Sequence, residues 1–249
     1  MDIYGLLGHP LGHSYSAAFF NEKFRREGID AEYRNFDFST VAEAVEALRN
    51  EPNLRGFNVT IPYKQQILPY LAGLTPQAAA IGAVNVVKVA RNADGTVSFH
   101  GANSDAYGFG ESIKPLIASP TYCKALVLGT GGASRAVHHV LSELGLETVS
   151  VSRTPKEGCI TYADIDAKLM AETLVVVNAT PLGMYPKVDA CPELPYELLT
   201  PQHVLFDLVY NPETTLFMQR GAEHGAQVKN GLEMLHLQAV GAWKVWNEE

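Results

Sequence analysis

Cysteine is scarce in this chain of 249 residues: Cys123, Cys159 and Cys191 are the only three. Three scattered thiols build neither a disulfide framework nor a zinc site, and an odd count suits a reducing compartment. Basic charge is also short. There are 19 Lys and Arg against 27 Asp and Glu, a formal net charge of -8, so the overall field does not draw the chain to nucleic acid or to an anionic membrane. An anionic ligand has to be held by local groups instead. No apolar run approaches the roughly 18 residues of a membrane helix. The opening MDIYGLLGHPLGHS holds neither a basic stretch nor a long apolar core, so no secretory signal is expected. Repeats and low-complexity tracts are absent. What remains, 47% hydrophobic and 18% charged residues, is the composition of a folded globular protein able to bury a real core, and the expected location is the cytoplasm.

The pattern along the chain alternates between strand and helix. Residues 2–7, 32–38 and 55–61 read as strands, with helices at 16–27 and 40–49, the second presenting Val41, Ala44, Val45 and Leu48 on one face. Residues 64–72 are helix-like despite Pro69. Two further strands, 84–90 and 96–100, flank Asn92-Ala93-Asp94-Gly95, a hairpin signal. A helix at 106–117 leads out of this block, and near Ser119-Pro120 the grammar restarts. Strands at 124–128, 147–152, 174–179, 204–209 and 226–229 then follow, with a helix at 134–144 and a last one at 232–246. Short apolar strands separated by helices imply a parallel sheet covered on both faces. The whole reads as two α/β domains with a boundary near residue 104.

The sharpest local signal is Leu126-Val127-Leu128-Gly129-Thr130-Gly131-Gly132-Ala133-Ser134, a strand running into a glycine-rich turn that opens a helix. Glycines let the backbone turn tightly and approach a pyrophosphate, and the helix N-terminus offers unpaired N–H groups. Counted from Gly129, the place of a third glycine in G-x-G-x-x-G is taken by Ser134. The alternative is a tight strand-to-helix turn with no ligand. About 20 residues on, where NAD enzymes carry an acid for the ribose 2′-hydroxyl, this chain reads Ser152-Arg153-Thr154, with Lys156 behind. Arg153 can pair with a 2′-phosphate and the two hydroxyls can add donors, which favours NADP over NAD; an arginine at a strand end is also a common surface residue.

Three polar segments interrupt the first block. Gly8-His9-Pro10-Leu11-Gly12-His13-Ser14-Tyr15-Ser16 lies between the first strand and helix; Ser14 and Ser16 stand where an N-cap belongs, and they either cap or form a carboxylate site. Asn58-Val59-Thr60-Ile61-Pro62-Tyr63-Lys64 closes an apolar strand, where ligands of parallel α/β sheets bind; Lys64 is a solvated charge or a group held over a site. Gly101-Ala102-Asn103-Ser104-Asp105 falls at the expected domain junction, a preferred place for a small-molecule site, although Asp105 also suits a helix N-cap. Gly82-Ala83-Val84-Asn85 adds an amide. The adjacent His138 and His139 point in different directions on a helix, so no metal site is expected.

Taken in order, these segments continue with Asn178-Ala179-Thr180-Pro181-Leu182-Gly183-Met184, Asp207-Leu208-Val209-Tyr210-Asn211-Pro212 and Gly231-Leu232-Glu233-Met234-Leu235, then Gln238-Ala239. From residue 5 to about 240 the chain resembles the shikimate dehydrogenase family. Two departures stand out: Ser104 takes the place of a usual Thr, keeping a hydroxyl, and Ser152 takes the place of a usual Asn beside Arg153.

The resemblance implies an N-terminal α/β substrate domain, residues 1–103 plus 236–249, and a Rossmann-type parallel-sheet NADP domain, residues 104–235. The implied reaction is reversible reduction of 3-dehydroshikimate to shikimate by NADPH, a step towards chorismate and the aromatic amino acids. Lys64 and Asp105 would be the catalytic pair. Ser14 and Ser16 would hold the substrate carboxylate, Thr60, Asn85, Asp105 and Gln238 its ring hydroxyls, and Tyr210 would lie against the site. NADP would be held by Gly129, Thr130, Gly131, Gly132, Ala133, Ser152, Arg153, Thr154, Thr180, Leu208 and Gly231. The expected partner is a small molecule, with no nucleic acid, no membrane and no metal, and the expected state is a monomer or homodimer. The rivals are an enzyme of the same fold that accepts quinate or NAD, and a non-catalytic dinucleotide-binding sensor.

Overall fold

The computed structural model describes residues 1–12 and 15–247. The chain divides into two compact units: Met1–Ser104 with the last helix from Ala239 on, and Asp105–Gln238.

The first unit runs β1 (Asp2–Gly8), α1 (Tyr15–Glu27), β2 (Ala31–Asp37), α2 (Val41–Arg49), β3 (Leu54–Val59), α3 (Tyr63–Gln66), β4 (Gly73–Leu74), α4 (Pro76–Ile81), β5 (Val86–Arg91) and β6 (Val97–Ala102). Its sheet has the order β2-β1-β3-β5-β6-β4. β1 pairs in parallel with β2 and β3, while β5 and β6 form the antiparallel hairpin, turning where Asn92 N–H donates to Thr96 O (2.9 Å) and Gly95 takes φ +84. The expected helix at 64–72 is not one helix. It breaks into the single turn of α3 and a 3-10 turn, Leu68–Tyr70, because Pro69 has no N–H to continue the ladder. One face of the sheet packs Leu7, Val45, Leu48, Phe57, Ile67 and Phe99. The other packs an aromatic cluster of Tyr4, Phe20, Phe24, Tyr33 and Trp246.

The second unit runs α5 (Asp105–Ile113), β7 (Lys124–Leu128), α6 (Gly132–Glu143), β8 (Glu147–Ser152), β9 (Cys159–Thr161), α7 (Ala167–Glu172), β10 (Val175–Asn178), β11 (Val204–Asp207), α8 (Leu216–Glu223), β12 (Gln227–Lys229) and α9 (Leu232–Asn247), the last of which continues into the first unit. All pairings in its sheet are parallel, in the order β12-β11-β10-β7-β8-β9. Relabelled from the first strand of this sheet, that is 6-5-4-1-2-3, the doubly wound dinucleotide-binding order with its switch point between β7 and β10. The central strands Leu126–Leu128, Val175–Val177 and Val204–Phe206 are fully buried, as covered parallel strands must be. Helices α4, α7 and α8 are too short to register as a period, but each is capped by a side chain, from Thr75, Asp166 and Thr215. Among the described residues no helix is long and apolar enough to cross a membrane.

Candidate active site

In the first unit the candidates gather at the carboxyl ends of β1 and β3. Thr60 N–H donates to Leu7 O (2.8 Å) and His9 N–H to Ile61 O (3.1 Å), so the segment after β3 is stitched to the one after β1. Gly8 permits this approach: a Cβ there would stand 2.5 Å from Thr60 Cγ2. Lys64 is half-buried on α3, and its carbonyl accepts from Val84 N–H (2.8 Å). That bond ties it to the segment carrying Asn85, whose own carbonyl accepts from Val59 N–H (2.9 Å). Asn85 is 3% exposed; its Oδ1 accepts from Ser104 N–H (2.7 Å) and its Nδ2 donates to Ser104 Oγ (3.1 Å). Thr60, Lys64 and Asn85 are therefore brought together by backbone bonds at one end of one sheet.

Ser16 lies inside α1 and so is not its N-cap; Ser14 lies outside the described residues. The Ser16 side chain bonds the Tyr33 hydroxyl, which donates to Asn58 Oδ1 (2.8 Å), and Asn58 Nδ2 donates to the Asn85 carbonyl (3.1 Å). Burial pushes the Tyr33 phenol well above its ordinary range, against the weaker pull of the Ser16 bond. This relay joins Ser16 to Asn85 through two residues that motif reading leaves unassigned. Nothing in the alternation of β2 singles Tyr33 out, since it shares its face of the strand with Ala31, Asn35 and Asp37.

In the second unit Asp105 opens α5 and is 1% exposed. A carboxylate buried that deeply is not a solvated surface charge. α5 passes α9 at Gly108, where a Cβ would meet Met234 O at 2.6 Å and Gln238 N at 3.1 Å. The closeness of the two helices places half-buried Gln238 one helical turn's reach from the N-terminal end of α5.

The remaining candidates line the carboxyl ends of β7, β8, β10 and β11. Gly129 adopts φ +104, and a Cβ there would sit 3.1 Å from Ala179 O, so glycine is required twice over. Thr130 and Ala133 are half-buried, and Gly131 is the N-cap of α6 with no side-chain cap, open space where its Cβ would be. Gly132 begins the helix, leaving first-turn N–H groups for an anion. The place of the missing third glycine is explained by Ser134, whose Oγ donates to Gly131 O (2.7 Å) and braces the turn from inside. Such a cradle fits a pyrophosphate. Ser152 ends β8, and Arg153 and Thr154 are exposed just beyond it. Burial raises the nearby Tyr162 phenol to about 12, opposed by the Arg153 charge. An exposed guanidinium with no acid in its own segment fits a 2′-phosphate.

Thr180 follows β10, and Leu208 and Tyr210 follow β11. Thr180 Oγ1 donates to Asn178 Oδ1 (2.6 Å), and Leu208 N–H donates to Asn178 O (3.0 Å). Gly231 is held against this loop: its N–H donates to Val209 O (3.1 Å), and a Cβ would stand 2.3 Å from Leu208 O. Tyr210 is half-buried, which raises its phenol. Beneath the loop lies Asp207, fully buried and with its carboxyl raised to about 6 by desolvation, against hydrogen bonds from Thr215, Val209 and Asn178. Motif reading gives Asn178 and Asp207 no role. Their signal is a polar residue ending a buried apolar strand, VVVN and VLFD. His138, by contrast, is held between the Thr148 and Ser150 hydroxyls (2.8 and 2.9 Å) and serves packing.

Comparison with known proteins shows what the chain as a whole is similar to. Residues 6–87 match the family described as the shikimate dehydrogenase substrate binding domain. The shikimate dehydrogenase (NADP(+)) of Desulforamulus reducens is 36% identical over 98% of this chain and 89% of its own. A Thermus thermophilus shikimate 5-dehydrogenase, solved in complex with NADP(H) and shikimate, is 33% identical and superposes with a TM-score of 0.84, covering 100% of this chain and 94% of the other. A quinate dehydrogenase of Corynebacterium glutamicum, solved with NAD, has a TM-score of 0.82 at 25% identity, over 100% of this chain and 94% of that one. With identity of this order maintained from end to end, the chain belongs to the shikimate dehydrogenase family.

Proposed function

We propose that this chain is the NADP-dependent oxidoreductase that reversibly reduces 3-dehydroshikimate to shikimate, acting in the cytoplasm. The first block with the end of the last helix, residues 1–103 plus 236–249, handles the substrate, and residues 104–235 hold NADP. Bound NADPH supplies the hydride. Lys64 donates the proton that the carbonyl oxygen needs as negative charge grows there, and takes it back in the reverse direction. Asp105 hydrogen-bonds the reacting hydroxyl. Ser14 and Ser16 hold the carboxylate, and Thr60, Asn85 and Gln238 hold ring hydroxyls, with Tyr210 against the site. Polar groups matched to each hydroxyl reject analogues lacking one, because their own partners go unmet. The glycine cradle at Gly129, Thr130, Gly131, Gly132 and Ala133 takes the pyrophosphate. Arg153, with Ser152 and Thr154, takes the 2′-phosphate, and Thr180, Leu208 and Gly231 border the nicotinamide half.

The observation that carries this reading is the identity to NADP-dependent relatives over 98% of the chain. The test is turnover of shikimate and quinate with NADP and NAD, followed by the absorbance of the reduced nicotinamide. Shikimate with NADP should dominate; preference for quinate or NAD, or no turnover with any pair, overturns the assignment. Lys64→Ala should lower kcat by about 10²-fold or more, the scale of a positioned proton donor, with KM changed less.

A further inference from the structure

The carboxylate of Asp207 plays no part in the chemistry above, yet it is fully buried and is the centre of a closed hydrogen-bond network. Its Oδ1 accepts from Asn178 Nδ2 (2.9 Å) and from Val209 N–H (3.0 Å), and its Oδ2 accepts from Thr215 Oγ1 (2.6 Å). Asn178 and Thr215 are also fully buried. Each partner reaches further. Asn178 Oδ1 accepts from both the N–H (3.1 Å) and the hydroxyl (2.6 Å) of Thr180, and the Thr180 hydroxyl accepts from Leu182 N–H (3.2 Å). Thr215 caps α8, its hydroxyl accepting from Met218 N–H. Asn178 and Asp207 are register partners across β10 and β11, so one carboxylate spans two adjacent strand ends and both loops that leave them.

A buried charge here costs desolvation, and an apolar residue of the same shape would avoid that cost. The network therefore needs a reason beyond packing. The two loops it joins are those bearing Thr180, Leu208 and Tyr210. We propose that Asp207, acting through Asn178, Val209 and Thr215, is a positioning residue that sets these two loops in the one mutual geometry that receives the nicotinamide half of the cofactor. This rests on the cofactor assignment of the preceding section. The Leu208 N–H is held by the Asn178 carbonyl and the next carbonyl, that of Val209, accepts from Gly231 N–H, so a shift of Asp207 moves the wall of the site without any residue of that wall being changed.

The test compares Asp207→Ala, Asp207→Asn, Thr215→Val and Thr215→Ser by steady-state kinetics, NADPH titration followed by nicotinamide fluorescence, and thermal unfolding. Asp207→Ala orphans three buried donors and should weaken NADPH binding about tenfold or more, with KM for shikimate within about twofold. Asp207→Asn keeps the Oδ1 acceptor for Asn178 and Val209 and should restore most of the affinity. Thr215→Val, which loses both the bond to Asp207 and the cap on Met218 N–H, should raise KM for NADP about threefold to tenfold, and Thr215→Ser, which keeps both, should not. If Asp207→Ala fails to fold, the threonine pair decides. Unchanged NADPH affinity in folded Asp207→Ala or Thr215→Val, or equal losses for both substrates, overturns the proposal. Parent protein that binds NADPH but does not turn over shikimate overturns the reaction assigned above and leaves this comparison intact, because it is read from cofactor binding.

Discussion

Replacing Gly56 with alanine tests how the last helix is anchored in the first unit. Gly56 lies on β3 between Tyr4 of β1 and Lys88 of β5. The Trp246 indole fills the space above it: a Cβ at Gly56 would stand 2.4 Å from both Trp246 Cδ1 and Nε1, and 2.9 Å from Val87 O. The indole is rigid, 6% exposed, and packed against the rings of Tyr4 (4.8 Å between centroids) and Phe20 (5.2 Å), so it cannot swing aside locally. Its Nε1 donates to Val87 O (3.0 Å), a bond the displaced ring gives up. Overpacking costs about 1–3 kcal/mol, and a buried donor left unmade about 1–3 kcal/mol more. Alanine returns about 0.5–1 kcal/mol relative to glycine in a strand, which leaves a net loss of about 1–5 kcal/mol. The chain has two tryptophans, Trp243 and Trp246, both on α9. Urea unfolding followed by their fluorescence therefore reports the seating of this helix. Trp246→Phe in the Gly56→Ala background should recover part of the loss, a coupling that marks direct contact. A Gly56→Ala protein within about 0.5 kcal/mol of the parent, the range of a neutral surface change, or strict additivity in the double variant, refutes the anchoring argument.

Other perturbations follow from the second unit. Folded Asp207 titrates near 6 against an ordinary 3.8, so its contribution to stability is complete below about pH 4 and is lost as pH rises through 6, ~3 kcal/mol in all. Asp207→Asn should gain on the parent by that order between pH 4 and 7 in chemical denaturation; a pH-independent difference contradicts this. Gly231→Ala drives a Cβ into the Leu208 carbonyl and should raise KM for NADP about tenfold, the kinetic equivalent of about 1.4 kcal/mol of displaced backbone, with little change for shikimate. Arg153→Ala should raise KM for NADP far more than KM for NAD; equal effects would discard the phosphate clamp.

How much of this is legible in the residues depends on the range of the interaction. The cradle at Gly129–Gly132 reads directly, because strand, turn and helix are adjacent in the chain and a tight turn demands glycine locally. The hairpin about Asn92-Ala93-Asp94-Gly95 reads for the same reason. The stretch at 64–72 misleads because its apolar spacing is helical while Pro69 removes one N–H, and a period does not weigh one missing donor. Gly56 is unremarkable as a letter, and Gly231 is marked only by the family resemblance. They matter because an indole and a carbonyl, distant in the chain, arrive where a methyl would stand.

The sequence alone determined the class of fold, the glycine-rich turn into α6 and the family, since each rests on short-range stereochemistry or on motifs whose order survives without coordinates. Tertiary structure alone decided the strand orders, the Ser16–Tyr33–Asn58 relay and the Asp207 network. Those depend on which strand ends become neighbours, and pairing between strands is set by burial summed over the whole unit rather than by any residue's local preference.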